Sequence, residues 1–323
     1  MKTTTVAQYG IGPIGAEIAR LLLSKPWVKL VSAVDIDPQK IGRDVGDVIG
    51  LGRKAGLKVT PELKGKPKVV CHSTGSRLRE VSSQLEELLG RGCHVVSTCE
   101  ELSFPLDEKI RTKLDKKARS KKVALIGTGV NPGFVMDKLP LTLTSVCQSI
   151  QSIDIIRIQN ASTRREPLQR KVGAGMTPAE FRAAVGAGKI KHMGLRESLM
   201  LVGSGLGVEF DHVSDEKIEP IIATREVVTQ YLEVAPGQVA GVHQTIEGHG
   251  KIKVRLELRM YVGAEDVAAD RVIVKGVPDL ELEIKGGVHG DRATAAMVVN
   301  AIPRLTTARP GVLTMDDIPI SFR

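Results

Sequence analysis

With 323 residues, 42% of them hydrophobic and 26% charged, the chain is long enough for two domains that each bury a core. The net charge of +9 raises nucleic acid as a partner, but the basic residues are scattered and aromatics make up only 3%, so no stacking platform accompanies them. No apolar run reaches the ~18 residues of a membrane span, and the four cysteines show neither C-x-x-C pairing nor metal-ligand spacing with histidine.

The N-terminus runs straight into a strand pattern without a secretory signal, so the cytoplasm is the expected compartment. Thr4–Tyr9 reads as a short strand. A glycine turn follows, then a helix whose apolar positions recur every three or four residues. Gly10, Gly12 and Gly15 have G-x-G-x-x-G spacing: the first for a tight turn, the second for close approach of a pyrophosphate, the third for helix–strand packing. Phosphates then sit on N–H groups of the helix N-terminus, so Gly10, Gly12, Pro13, Ile14 and Gly15 are the expected dinucleotide contacts. A second apolar strand, Val28 to Val34, ends in Asp35, placed to accept the adenosine ribose hydroxyls. The acid argues for NAD, while Lys40 and Arg43 lie close enough to meet the 2′-phosphate of NADP.

Lys68–Gly75 is a buried strand running into a small-residue turn, where Ser73 and Thr74 either contact the dinucleotide or simply make the turn. A helix follows from Arg77 to about Gly90. The next strand, Cys93–Thr98, ends in Cys99-Glu100-Glu101. Two acids at the carboxyl end of a central strand stand where doubly wound folds bind ligands, and adjacent side chains there diverge, so one of them faces a cleft. Thr98 and Cys99 are candidate cofactor contacts beside them, with a small buried hydrophobe as the plainer role for Cys99. After a basic helix, Asp107 to Lys121, comes the strand and turn Val123–Gly129. Asn131 follows and either binds the nicotinamide carboxamide or substrate, or caps a helix opened by Pro132.

Strand–helix alternation stops near Cys147. A strand from Ile150 to Ile158 leads into a polar exit at 159–165, and Thr177-Pro178-Ala179-Glu180 and the 192–198 segment open helices. From Gly207 to Ile284 the apolar period is mostly two, with strands at 218–222, 227–234, 238–247, 252–261, 271–275 and 279–284. The expected fold is thus an α/β Rossmann domain, a doubly wound parallel sheet, plus an α+β second domain with a mostly antiparallel sheet. Boundaries fall at 1–147, 148–286 and 287–323, the last segment being an Ala-rich helix and tail that return to the first domain.

Three segments together resemble one family. Cys99-Glu100-Glu101-Leu102-Ser103-Phe104-Pro105, the Gly127–Asp137 stretch and the Gly290–Pro303 stretch are similar to those of 2,4-diaminopentanoate dehydrogenases and native amine dehydrogenases, whose N-terminal domain is dihydrodipicolinate-reductase-like. Residues 168–175 and 192–198 carry the same likeness, so it spans the chain. The signature of true dihydrodipicolinate reductases, His-His…Lys…Pro-Ser-Gly-Thr-Ala, is missing. The resemblance implies oxidative deamination, dependent on NAD or NADP, of a diamino acid such as 2,4-diaminopentanoate to 2-amino-4-oxopentanoate and ammonia, or its reverse. It also implies a glutamate that handles the amine: Glu100, with Glu101 as second choice.

A substrate carboxylate asks for Arg, His and amide donors from the second domain, and the candidates are Arg157, Asn160, Thr163 and His192, with His243 and Asn300 behind them. The partners expected are the small amine or ketone and ammonia, with neither nucleic acid nor membrane. A broad antiparallel sheet seeks a second copy, so a homodimer is expected by analogy of fold. The competing readings are a dehydrogenase or reductase of another amine or imine, and a non-catalytic dinucleotide sensor.

Overall fold

The computed structural model describes residues 3–264 and 267–322. The chain divides into two compact units: one made of 1–134 and 289–323, the other of 135–288.

In the first unit β1 (Thr4–Tyr9), α1 (Pro13–Ser24) and β2 (Val28–Val34) form the opening β-α-β turn. A one-turn helix α2 (Val45–Val48) and the two-residue strand β3 (Val59–Thr60) follow, neither legible in the glycine-punctuated sequence. Then come β4 (Val69–His72), α3 (Leu78–Gly90), β5 (His94–Ser97), a 3-10 turn at Glu100–Leu102, α4 (Glu108–Ser120) and β6 (Ala124–Gly127). The strands are parallel, and the doubly wound order places β1 centrally. Val6, Val69, Val95 and Leu125 are fully buried in these strands, as a sheet covered on both faces requires.

The second unit begins earlier than position 147. No helix starts at Pro132, because Gly133 takes φ +128°, outside the helical region. The chain turns instead, and α5 (Lys138–Thr144) starts at Asp137, whose carboxylate accepts from the Lys138 N–H and the Ser198 hydroxyl. Next are β7 (Ser149–Asn160), α6 (Glu166–Lys171), α7 (Pro178–Gly186) and α8 (Leu195–Gly205). Thr177 and Glu180 close a reciprocal capping box at the start of α7. The remaining strands are β8 (Phe210–Val213), β9 (Lys217–Ile222), β10 (Val227–Val228), β11 (Glu233–Val234), β12 (Val239–Gly250), β13 (Lys253–Tyr261), β14 (Ala269–Val277) and β15 (Leu280–Lys285). The expected single strand 227–234 is a separate two-stranded hairpin. The main sheet runs β15-β14-β7-β13-β12-β8, with β9 also on β12, and only β7–β13 is parallel.

One face of this sheet, carrying Ile153, Ile155, Leu256, Leu258, Val272 and Val274, is buried, and α8 packs against β12 and β13 there. The other face is charged. Glu257, only 2% exposed, lies on it beside His243, Arg255 and Arg259, and the His243 hydrogen bond first, then the two guanidinium charges, hold its carboxyl down at about 2.

The chain then returns to the first unit as α9 (Gly290–Leu305) and a seventh parallel strand, β16 (Gly311–Leu313), paired with β6. Ala295, Val298, Val299, Ala301 and Ile302 of α9 are buried; the helix packs against α1, whose Gly15, Ile18, Ala19 and Leu22 are buried. Among the described residues no helix is long and apolar enough to cross a membrane, and no group of three or more His, Cys, Asp or Glu could hold a metal ion.

Candidate active site

The first unit gathers a set of polar groups at the carboxyl edge of its sheet, where open α/β sheets take ligands. At the centre, Gly10 turns with φ +88° and hydrogen-bonds from its N–H to Val34 O. Its carbonyl is gripped from two sides, by the Gln8 carboxamide and by the Ser73 hydroxyl, each at 2.9 Å. Gln8 was not among the expected site residues; the signal is a polar residue, fully buried, following Val6 and Ala7 in the central strand. A Cβ on Gly15 would lie 1.9 Å from Gly10 O, so that glycine is required by close packing. A Cβ on Gly12 would meet nothing within 4 Å. The Gly12 Cα therefore faces open space at the start of α1, where no side chain caps the helix. An uncapped N-terminus with an unobstructed backbone beside it fits a pyrophosphate. Gly15→Ala is expected to weaken dinucleotide binding by about fivefold to a hundredfold, because displacing the Gly10 carbonyl costs about 1–3 kcal/mol; titration with the reduced dinucleotide measures it.

Asp35 stands at the end of β2. Its Oδ2 accepts from Ile11 N (2.8 Å) and lies 3.1 Å from Lys40 Nζ, and its Oδ1 accepts from Asp37 N (2.9 Å). Although burial raises its pKa, these hydrogen bonds prevail and hold the carboxyl below its usual value. Ile36, between two acids, is 85% exposed, an isolated apolar surface next to Asp35 and a fitting cover for a flat base. The cue in the sequence is an isoleucine in a loop of acids and lysine.

At the ends of β4 and β5, His72 is fully buried. Its Nδ1 is 2.9 Å from Ser97 Oγ and its Nε2 is 2.9 Å from Gln84 Oε1. Thr74 Oγ1 donates to the same Gln84 oxygen, so the side chain of Thr74 serves this network. Burial pushes the imidazole down to about 4, so it is neutral at physiological pH. Between pH ~6.5 and ~4 the unfolded chain takes up a proton that the native His72 refuses, and stability falls with pH by ~3 kcal/mol in all. Urea unfolding at pH 7 and pH 5 measures the slope, and His72→Asn should remove it.

Thr98 N donates to His72 O, and the Cys99 thiol to Ser76 O. Burial first, and Glu100 second, raise the pKa of this thiol, so Cys99 is a protonated packing residue. The two acids then separate. Glu101 lies with its carboxylate 2.7 Å from Leu78 N, at the first turn of α3, a helix without a cap of its own. Glu100 opens the 3-10 turn with its backbone carbonyl fixed by the Ser103 N–H and hydroxyl. Asn131 is buried just beyond β6, in a loop whose Val130 N–H donates to Thr294 Oγ1 of α9. Asn300 lies further along α9, half-buried.

The candidates of the second unit do not converge. Arg157 is 3% exposed; its Nη1 contacts both oxygens of Asp270 at 2.9 and 3.0 Å, and its Nη2 donates to Val288 O. Asp270 in turn accepts from Val288 N. This guanidinium is spent on structure. His243 pairs across the sheet with Arg259 and Glu219, on the face opposite Arg157, so the two cannot line one pocket. It sits 3.1 Å from Glu257 Oε1, in the charged face. Asn160 Oδ1 accepts from Ser162 N at the end of β7, and Thr163 is exposed in the following turn. The His192 backbone is held at both N–H and C=O by the carboxamide of Gln244.

The comparisons with known proteins agree on one group. Residues 134–322 match the model of the 2,4-diaminopentanoate dehydrogenase C-terminal domain. A 2,4-diaminopentanoate dehydrogenase of Acetoanaerobium sticklandii is 28% identical over 334 residues, covering 99% of this chain and 94% of the relative. An amine dehydrogenase of Streptomyces virginiae is 24% identical over 346 residues, covering 97% and 95%. The solved amine dehydrogenase from Mycobacterium smegmatis superposes with a TM-score of 0.86 at 25% identity, over 99% of this chain and 97% of that one.

Proposed function

Because this chain belongs to the 2,4-diaminopentanoate dehydrogenase family, we propose that it oxidatively deaminates a small amine of the diamino-acid type, releasing ammonia and a ketone, or runs the reverse amination. It is an amine dehydrogenase dependent on NAD or NADP. The Gly10–Gly15 turn and the start of α1 hold the diphosphate, and Asp35 and Ile36 the adenosine, which leaves the β4, β5 and β6 ends for the other half. When bound, the dinucleotide supplies the hydride acceptor for the amine-bearing carbon.

The residues do the rest. An ammonium must lose a proton before its carbon can give up hydride. The Glu100 carboxylate binds the cation and takes that proton on its Oε; after passing it to solvent, the carboxylate holds the resulting iminium and draws a proton from the water that attacks it. Atoms balance as amine, water and oxidised dinucleotide giving ketone, ammonia, reduced dinucleotide and a proton. The observation that carries this assignment is the division of labour between the adjacent acids: Glu101 is tied to the start of α3, and Glu100 stands at the end of β5, two strand spacings (~10 Å) from the glycine turn.

The dinucleotide preference rests on Lys40. Its ammonium is shared between Asp35 (3.1 Å) and Asp37 (3.4 Å), which keeps a cation at the rim of the ribose site. Both dinucleotides are then accepted, the lysine offering its remaining proton to a 2′-phosphate. Lys40→Ala is expected to lower kcat/KM for NADP about tenfold, a loss of ~1.4 kcal/mol, and to leave NAD within about twofold.

Engagement of Arg157 favours a second reading, an amine without a carboxylate. Initial rates with 2,4-diaminopentanoate against 2-aminobutane decide between them: turnover of the first alone supports the diamino acid, turnover of the second alone the simple amine. Dinucleotide binding with no turnover of either would favour a sensor.

The charged face of the second sheet, where Lys253, Arg255 and Arg271 interleave with Asp154, Glu247 and Glu283 around Ile156 and Ile273, suits an isologous contact with a second copy. Sedimentation of the native protein as a dimer supports it, and a monomer overturns it.

A further inference from the structure

The imidazole of His72 is buried at the end of β4, beside the end of β5 that leads to Glu100. Four groups form a directed chain of hydrogen bonds. Gln84 Oε1 can only accept, so His72 Nε2 carries the proton that faces it at 2.9 Å. The neutral ring then has Nδ1 as acceptor, and the Ser97 hydroxyl donates to it at 2.9 Å. Ser97 Oγ in turn accepts the Cys99 N–H at 3.1 Å. Thr74 Oγ1 also lies 2.9 Å from Nε2, and reversing the tautomer would leave Nε2 and Gln84 Oε1 facing each other as two acceptors. The ring itself cannot slide: it is fully buried and stacks on Tyr9 with centroids 5.7 Å apart.

The chain ends at the peptide where β5 leaves the sheet. Cys99 N–H fixes the start of the turn, and Leu102 N to Cys99 O (3.1 Å) and Glu101 N to Ser76 O (3.3 Å) fix the rest. Glu100 lies between these anchors. Resting on the reading of Glu100 as the base, we propose that His72 is a positioning residue for the reaction, which aims the Glu100 carboxylate through Ser97 and the Cys99 peptide without touching substrate or dinucleotide.

The two ring nitrogens supply the test. Asparagine places a carboxamide atom near Nδ1 and keeps the acceptor for Ser97; glutamine reaches towards Nε2 and keeps only the Gln84 side. His72→Asn is expected to hold kcat within about threefold. His72→Gln should lower it roughly tenfold to a hundredfold, the scale of a displacement near 1 Å at a reacting group. Ser97→Ala cuts the same chain at its other end and should lower kcat by a similar factor, and it removes one oxygen from a packed site without touching the ring. Dinucleotide Kd stays within about twofold in all three. Equal kcat in the Asn and Gln variants, or wild-type kcat in Ser97→Ala, overturns the proposal, as does a parallel loss of dinucleotide binding. Glu100→Gln is assayed alongside: an active Glu100→Gln enzyme defeats the base assignment, whereas an inactive one with a fully active Ser97→Ala defeats only the positioning role.

Discussion

Replacing Glu100 by glutamine should lower kcat for amine oxidation by roughly 10²–10⁴, the range for loss of a positioned general base, while dinucleotide affinity stays within about twofold. The amide keeps the size and the hydrogen-bonding reach of the carboxylate but can neither take the proton of an ammonium nor attract its charge. Glu101→Ala should behave in the opposite way. Its carboxylate accepts the Leu78 N–H at the first turn of α3, so its loss costs about 1 kcal/mol of stability, as for other helix caps, and kcat changes less than threefold. Single-turnover rates with prebound dinucleotide, together with thermal unfolding of both variants, separate the two roles. A Glu100→Gln enzyme with ordinary turnover would move the base elsewhere.

The second large effect is on stability. Arg157 and Asp270 have side chains only 4% exposed, and together they hold Val288 by its N–H and C=O. Burial raises the pKa of Asp270, with Arg157 opposing it. Arg157→Ala leaves that carboxylate buried without its cation and should destabilise the protein by about 3–5 kcal/mol. Replacing both, as Arg157→Leu with Asp270→Leu, removes the stranded charge and should cost less than the single change. Chemical unfolding monitored in all three variants gives the comparison. A carboxylate-binding role for Arg157 predicts something different: a raised KM for carboxylated amines with stability intact.

These residues also show where sequence reading succeeds and where it stops. The glycine turn, the acid after β2 and the alternation of strand and helix were legible because each is local, set by spacing within about thirty residues. The period-two strands were legible too, although β16 has only three residues and offers no period to read. Glu100 and Glu101 could not be told apart, since what distinguishes them is the start of a helix at Leu78, a position earlier in the chain and adjacent only in space. The engagement of Arg157 was hidden for the same reason. Its partner lies 113 positions away, and an arginine at a strand exit looks the same whether it meets a substrate or an internal aspartate. The place of His243 turns on register: strand alternation assigns it a face, but which face Arg157 shares emerges only once β7, β13 and β12 are paired.

The nucleotide-carrying unit is built from two separated stretches, 1–134 and 289–323, and this sets an order of manufacture. A ribosome finishes the glycine turn and six strands early, then makes the entire 135–288 unit before it delivers α9, the helix that covers the apolar side of α1. Until those last residues emerge, Ile18 and Leu22 have no cover from it. A nascent chain therefore carries an unfinished nucleotide fold while 135–288 are made, and completes it only once 289–323 emerge.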